Sequence, residues 1–299
     1  MTSLEQSTSE YGKGLSEKIK TFSRNLDNLR DFVEVVGSVL DEKEKTDFEK
    51  DPESLLVHLL AFHELDAGVL PLSEKQIAKM RAICDGKYEI TIEGEAPDGP
   101  RVKIKPVEGG IERLHIAAEV LVKSARRRVS LHNSALISLV SEGEWFCAQM
   151  IHYYFAKHPN AVGLKERNFS FDELIKFSTI EEARKYLIDN KVEDILRGNF
   201  NDWIDFFKEK IKIQIGFFDS HLPYAFEACL RRNLLVHNGG IVNKLYLNKL
   251  PEEITDRPEI DSQIAVDSNY FGDRIARFEV IFLILALELW GKLSRDDAA

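Results

Sequence analysis

Cysteine is scarce in this chain. The three present, Cys84, Cys147 and Cys229, are far apart and in no metal-ligand spacing, which excludes a disulfide framework and a cysteine-based zinc site and fits a reducing compartment. Long apolar runs are lacking too. The longest, VIFLILAL from Val280 to Leu287, is bounded by Glu279 and Glu288 and is too short to cross a bilayer, so it is expected as a core helix rather than a membrane anchor. The opening MTSLEQSTSEYGKG has no basic stretch leading into an apolar one. No secretory signal is expected, the first dozen residues are expected as a loose tail, and the location is expected to be cytoplasmic. An excess of basic charge is also absent: 40 Lys and Arg stand against 50 Asp and Glu, a net charge of -10. That excludes a protein that coats nucleic acid non-specifically, which needs a broad basic surface, and leaves room only for a local basic cleft. Glycine-rich phosphate loops, the Gly-x-Ser-x-Gly elbow and the dinucleotide fingerprint are missing, and the enzyme classes built on them go with them. There is no internal repeat and no low-complexity tract.

What is there is an ordinary globular composition, 44% hydrophobic and 30% charged over 299 residues, enough for two domains. The punctuation is mainly helical. Asp51 with Pro52 marks a helix start, and Ser73 to Gln76, Ser170 to Glu173 and Thr179 to Glu182 each match a capping box. KYEITIEGEAPDGPRVKIKP, ending at Pro106, is the exception: two alternating polar–apolar segments flank a Pro, Asp and Gly cluster, the signal for a short β-hairpin. The expected fold is mainly α, with an N-terminal helical domain over residues 1–125 that carries this hairpin and a C-terminal helical bundle over 126–299. SALISLVSEGEWFCAQMIHYYFAKH reads as its central helix, NDWIDFFKEKIKIQIG as an amphipathic one, and YFGDRIARFEVIFLILALELWGKL as the last.

The segment that carries chemistry is RRNLLVHNGG, Arg231 to Gly240. It ends a helix expected over about Leu222 to His237, opened by DSHLP with Asp219 or Ser220 as cap and Pro223 in the first turn, and closed by Gly239 or Gly240 in the left-handed conformation. At about 100° per residue, Leu222, Ala225, Phe226, Cys229 and Leu230 share an apolar stripe. Asn233 and His237 fall on that stripe, Arg232 on its flank, and Arg231 on the opposite, solvated side. Polar groups on a buried stripe cost about 1 to 3 kcal/mol each when unpaired. Two readings follow: they cross-link the core, or they form a site. A histidine at a helix end beside arginines suits acid–base work.

Arg232, Asn233 and His237 together resemble the signature of the HEPN superfamily, an arginine, a polar residue, three variable residues and a histidine. Arg127 and His132 share the spacing without the polar neighbour. The context matches as well: a long apolar helix precedes the motif helix and another closes the domain, so the resemblance covers about Arg128 to the C-terminus. It implies a HEPN-like helical bundle and a metal-independent endoribonuclease of defence or toxin–antitoxin type, acting on RNA as a homodimer in which motifs from two protomers meet across a cleft. Arg232 then holds the scissile phosphate, Asn233 orients, and His237 serves as general base and acid, leaving 2',3'-cyclic phosphate ends. No metal or cofactor is implied; an antitoxin or other regulatory protein is a possible partner. Some members paired with nucleotidyltransferase antitoxins carry a tyrosine two residues after the histidine, where this chain has Gly239, so that route of regulation is not expected. The superfamily also contains non-catalytic dimerisation, nucleotide-binding and interaction modules, which keeps a second class of function open.

Other clusters have weaker claims. Arg126, Arg127 and Arg128, with Arg231, are candidates for RNA-phosphate binding, the three-arginine run otherwise being a solvated helix end. His58 and His63, with Glu64 and Asp66, have histidines five apart, which does not place two ligands on one helix face, so they are not read as a metal site. His152, Tyr153 and Tyr154 are read as packing residues of the central helix.

Overall fold

The computed structural model describes residues 2–50, 88–93, 101–106, 110–158 and 177–296, with the single residues 82, 161 and 175. It is mainly helical. Asp51 and Pro52, the capping boxes at 73–76 and 170–173, and the cluster of His58, His63, Glu64 and Asp66 lie outside the described residues, as does Cys84.

Helix α1 (Thr2–Lys50) contains no proline, so nothing breaks its hydrogen bonding. The first dozen residues, expected as a tail, are its opening turns. Strands β1 (Tyr88–Glu93) and β2 (Arg101–Pro106) pair antiparallel, from Tyr88 opposite Pro106 to Glu93 opposite Arg101. Helix α2 (Gly110–Lys157) runs unbroken through the arginine run, so Arg126–Arg128 do not close a helix as the sequence suggested. Tertiary partners explain the continuity: Arg128 pairs with Glu44 and Asp41, and the Ser124 hydroxyl donates to Glu44 at 2.9 Å.

The chain forms two compact units, one of residues 1–33 with 132–299 and one of residues 34–131. The expected division at 125/126 placed all of the N-terminus on one side. The first part of α1 instead belongs with the C-terminal unit, because Leu15, Phe22 and Leu26, with Ile19, Leu29 and Val33 around them, form an amphipathic face buried in its core.

That core is aromatic at its centre. Phe22 stacks on Phe146 of α2, ring centres 4.3 Å apart, and Phe282 meets Phe22 edge-on at 5.7 Å. Gly143 of α2 makes the approach possible: a Cβ there would come within 2.9 Å of the Phe282 ring. Phe278 and Phe282 belong to α7 (Ser268–Asp296), the apolar final helix. Helix α3 (Ile180–Leu196) starts at Thr179, whose hydroxyl accepts the Glu182 N–H, while the Glu182 carboxylate accepts from the Ser178 N–H at 2.7 Å. Helix α4 (Phe200–Asp205) is capped reciprocally by Asn199 and Asp202, then widens into a π-helical turn, Phe206–Ile211, that ends at Lys212 with φ 65°.

Helix α5 (Leu222–Asn238) carries the motif. A short 3-10 turn, Asp219–His221, leads into it, and neither Asp219 nor Ser220 caps it. Pro223 occupies the first turn. Gly239 and Gly240 take the left-handed conformation (φ 59° and 81°), and the Gly240 N–H returns to the Leu234 carbonyl at 3.1 Å. Asn243 accepts the Tyr246 N–H to start α6 (Lys244–Lys249) inside what the sequence suggested was a plain connection. A second small core of Leu234, Val242, Tyr246, Leu250, Ile254 and Ile264 lies beneath it.

Candidate functional site at the end of helix α5

The two halves of α5 meet different surroundings. Ala225, Ala228 and Cys229 are buried in the main core, whereas in the last turns only Leu234 is buried, against the second core. Asn233 and His237, expected on the buried stripe, are exposed. The helical wheel placed them correctly relative to Cys229; the covering residues stop one turn earlier. Neither has a hydrogen-bond or ion-pair partner among the described residues.

Arg232 lies four residues after Ala228 and so continues the buried face. Its side chain is 19% exposed and its Nη2 pairs with Glu144 of α2. Its buried Nε–H has no hydrogen-bond partner, a state that costs about 1 to 3 kcal/mol.

Arg231 is not solvated as the sequence suggested. Its Nε donates to Glu227 at 2.8 Å, its Nη1 to the Ala265 carbonyl at 3.0 Å, and its guanidinium lies 3.9 Å over the Tyr270 ring. Glu227, fully buried, is the centre of a network that sequence reasoning missed. It also accepts from the hydroxyls of Tyr246 (2.8 Å) and Tyr270 (2.6 Å) and from Nη2 of Arg274 (3.0 Å). Burial opposes ionisation of this carboxyl, yet Arg231, Arg274 and the two hydroxyls outweigh it and hold its pKa below the ordinary value. Burial and then the Glu227 charge push both tyrosines up, so they remain donors. The only local sequence signal was the Glu227–Arg231 spacing of four. Because Tyr246 begins the chain of contacts from α6 and Glu227 receives it on α5, the network fixes one helix against the other.

Between α5 and α6 is a cavity of about 310 Å³ whose lining includes Leu230, Asn233, His237, Leu245, Tyr246 and Lys249. Among the described residues no carboxylate lines it. A larger cavity of about 700 Å³, between α2, α3, α4 and the π-helical turn, carries Asp194, Asp202, Asp205 and Glu209 against Lys191 and Lys210, and that balance disfavours an anionic ligand.

The remaining candidates lie elsewhere. Arg126 and Arg127 are exposed on α2, and Arg128 is engaged by Glu44 and Asp41; all three belong to the other unit. Tyr153 is buried and packs in the core, while His152 is half-buried with Nδ1 3.7 Å from Asp189. Cys147 and Cys229 are buried, and burial pushes both thiols up, which makes them inert apolar residues. No group of three or more metal-ligating side chains occurs among the described residues, and none of the helices there is long and apolar enough to cross a membrane. Compared with family models, curated proteins and solved structures, the chain matches none.

Proposed function

We propose that this chain is a metal-independent endoribonuclease of HEPN type, acting as a homodimer with a composite site built from the ends of two α5 helices. The observation that carries the reading is the exposure of Asn233 and His237 without partners among the described residues. Residues that brace a core are buried and hydrogen-bonded; these are neither, so their polar chemistry is left for something outside the protomer.

The chemistry assigned to the motif is transesterification. His237, as neutral imidazole, accepts the proton of a ribose 2'-hydroxyl, whose oxygen attacks the adjoining phosphorus. The bond from phosphorus to the 5'-oxygen breaks, and the leaving oxygen takes a proton from the imidazolium of the second protomer. The products are a 2',3'-cyclic phosphate and a 5'-hydroxyl. Arg232, oriented by Glu144, supplies the positive charge that steadies the phosphate as charge develops. Arg232 and His237 diverge by about 140° around the helix axis, so a two-fold related copy is the simplest way to bring an arginine and a histidine to one phosphate.

The test is cleavage of end-labelled RNA in excess EDTA by the native chain, Arg232→Ala and His237→Ala. Metal-independent cutting that leaves cyclic phosphate ends and is lost in both variants is expected. Intact RNA with all three proteins overturns the reading in favour of a non-catalytic interaction module.

A further inference from the structure

The lining of the α5–α6 cavity divides sharply by how its polar groups are used. Asn238 donates to the Ile241 carbonyl at 2.6 Å and Asn243 accepts the Tyr246 N–H at 2.9 Å, so both close the local backbone. Asn233, His237 and Lys249 line the same cavity and have no partner among the described residues. Lys249 is exposed, and among the described residues the cavity wall it faces carries no carboxylate. Leu230 and Leu245 supply an apolar side, and Leu245 is 63% exposed although its fellow α6 residue Tyr246 is buried. One apolar wall, one lysine and two further hydrogen-bonding side chains match the parts of a nucleotide: a base or ribose face, a phosphate, and hydroxyl or base-edge groups. The volume is at the lower end of small-ligand pockets, enough for one nucleotide unit rather than a folded RNA.

We infer that the α5–α6 cavity is the subsite for the RNA nucleotide flanking the scissile phosphate, with Lys249 binding that nucleotide's own phosphate and Leu245 covering its base. The inference rests on the ribonuclease reading and assigns a residue outside the motif. Lys249 is a substrate-binding residue in this scheme: it contacts the strand without taking part in proton transfer. Its position is held from behind, since Tyr246, three residues earlier on α6, is hydrogen-bonded to the buried Glu227.

The experiment measures binding of a fluorescein-labelled 2'-O-methyl oligoribonucleotide, which lacks the attacking hydroxyl, across a salt series, together with steady-state cleavage of the matching RNA. Native chain, Lys249→Ala, Lys249→Arg, Leu245→Ala and, as a control for loss of surface charge, Lys185→Ala on α3 are compared. Loss of one phosphate contact is expected to reduce the slope of log affinity against log salt by about 0.7 in Lys249→Ala. It should raise KM about tenfold with kcat nearly unchanged, Lys249→Arg restoring both slope and KM. Leu245→Ala should weaken binding without altering the slope. Lys249→Ala behaving like Lys185→Ala, in a native chain that cleaves, overturns the subsite and leaves the ribonuclease reading standing. Lys249-dependent binding in a native chain that never cleaves keeps the subsite and overturns the ribonuclease reading. Failure of the native chain both to bind and to cleave overturns both. Competition by mononucleotides as effective as by the oligomer at equal phosphate overturns the assignment to an RNA strand.

Discussion

The two halves of helix α5 handle polarity in opposite ways. In the first half Glu227, fully buried, is saturated by Arg231, Arg274, Tyr246 and Tyr270; in the last turns Asn233 and His237 are exposed and unpartnered among the described residues. A buried charge survives only when its partners repay the loss of water, so the first half is a structural device. The last turns carry groups whose removal should cost the fold nothing. On the proposed reading one helix separates the residues that hold the site's geometry from those that meet a ligand, and mutations in its two halves should have opposite signatures.

The largest effect is expected at Glu227. Glu227→Ala strands two guanidinium groups in a buried setting, and breaking such a pair costs about 3–5 kcal/mol, to be read as a drop in the urea midpoint. The same carboxyl gives the comparison a pH axis. Its folded pKa lies below the ordinary value, so its contribution is fully present above roughly pH 4.3 and is lost as pH falls through the folded pKa. Glu227→Gln should therefore be less stable than the native chain at neutral pH and lose less stability on acidification. Equal acid slopes in the two proteins would show that Glu227 is not the group protonated.

Next in size is the aromatic core against which α2 holds Glu144 in place. Gly143→Leu forces a side chain where the Phe282 and Phe278 rings already come within 2.9 and 3.0 Å of a Cβ position. Overpacking of this kind costs about 1–3 kcal/mol. A thermal melt unchanged by the substitution would mean that the helices yield there. Asn243→Ala removes the cap of α6 and is expected to cost about 1 kcal/mol, with a rise in KM for RNA on the subsite assignment, because Lys249 is held by the same short helix.

How much of this was legible before the structure depended on how local the cause was. The start of α3 and both ends of α5 were readable because Thr179 with Glu182, Pro223 and Gly239 act within one turn of themselves. The continuity of α2 through Arg126–Ser130 was not, since the partners of Arg128, Asp41 and Glu44, come from α1. The membership of residues 1–33 in the C-terminal unit was hidden for the same reason: an amphipathic face announces that it is buried, not against what. Within α5 the wheel grouped Asn233 and His237 with Cys229 correctly, but the point at which the covering elements end is a tertiary fact. Glu227 was overlooked because a single glutamate on a helix is usually solvated, and its other partners are contributed from Tyr246 and the Tyr270–Arg274 turn.

The smallest expected change in stability is at His237, and it tests the contrast between the two halves most directly. The side chain is exposed and has no partner among the described residues, so His237→Ala should leave the urea midpoint within about 0.5 kcal/mol of the native chain. On the proposed ribonuclease reading the same substitution should lower RNA cleavage by about 10²–10⁴-fold, the range general acid–base catalysis supplies. On the same reading Glu227→Gln should do the reverse, shifting the melt while the protein that remains folded keeps its cleavage. A His237→Ala variant that unfolds early would instead place the histidine in the structural frame with Glu227, and the division of α5 into a holding half and a meeting half would be wrong.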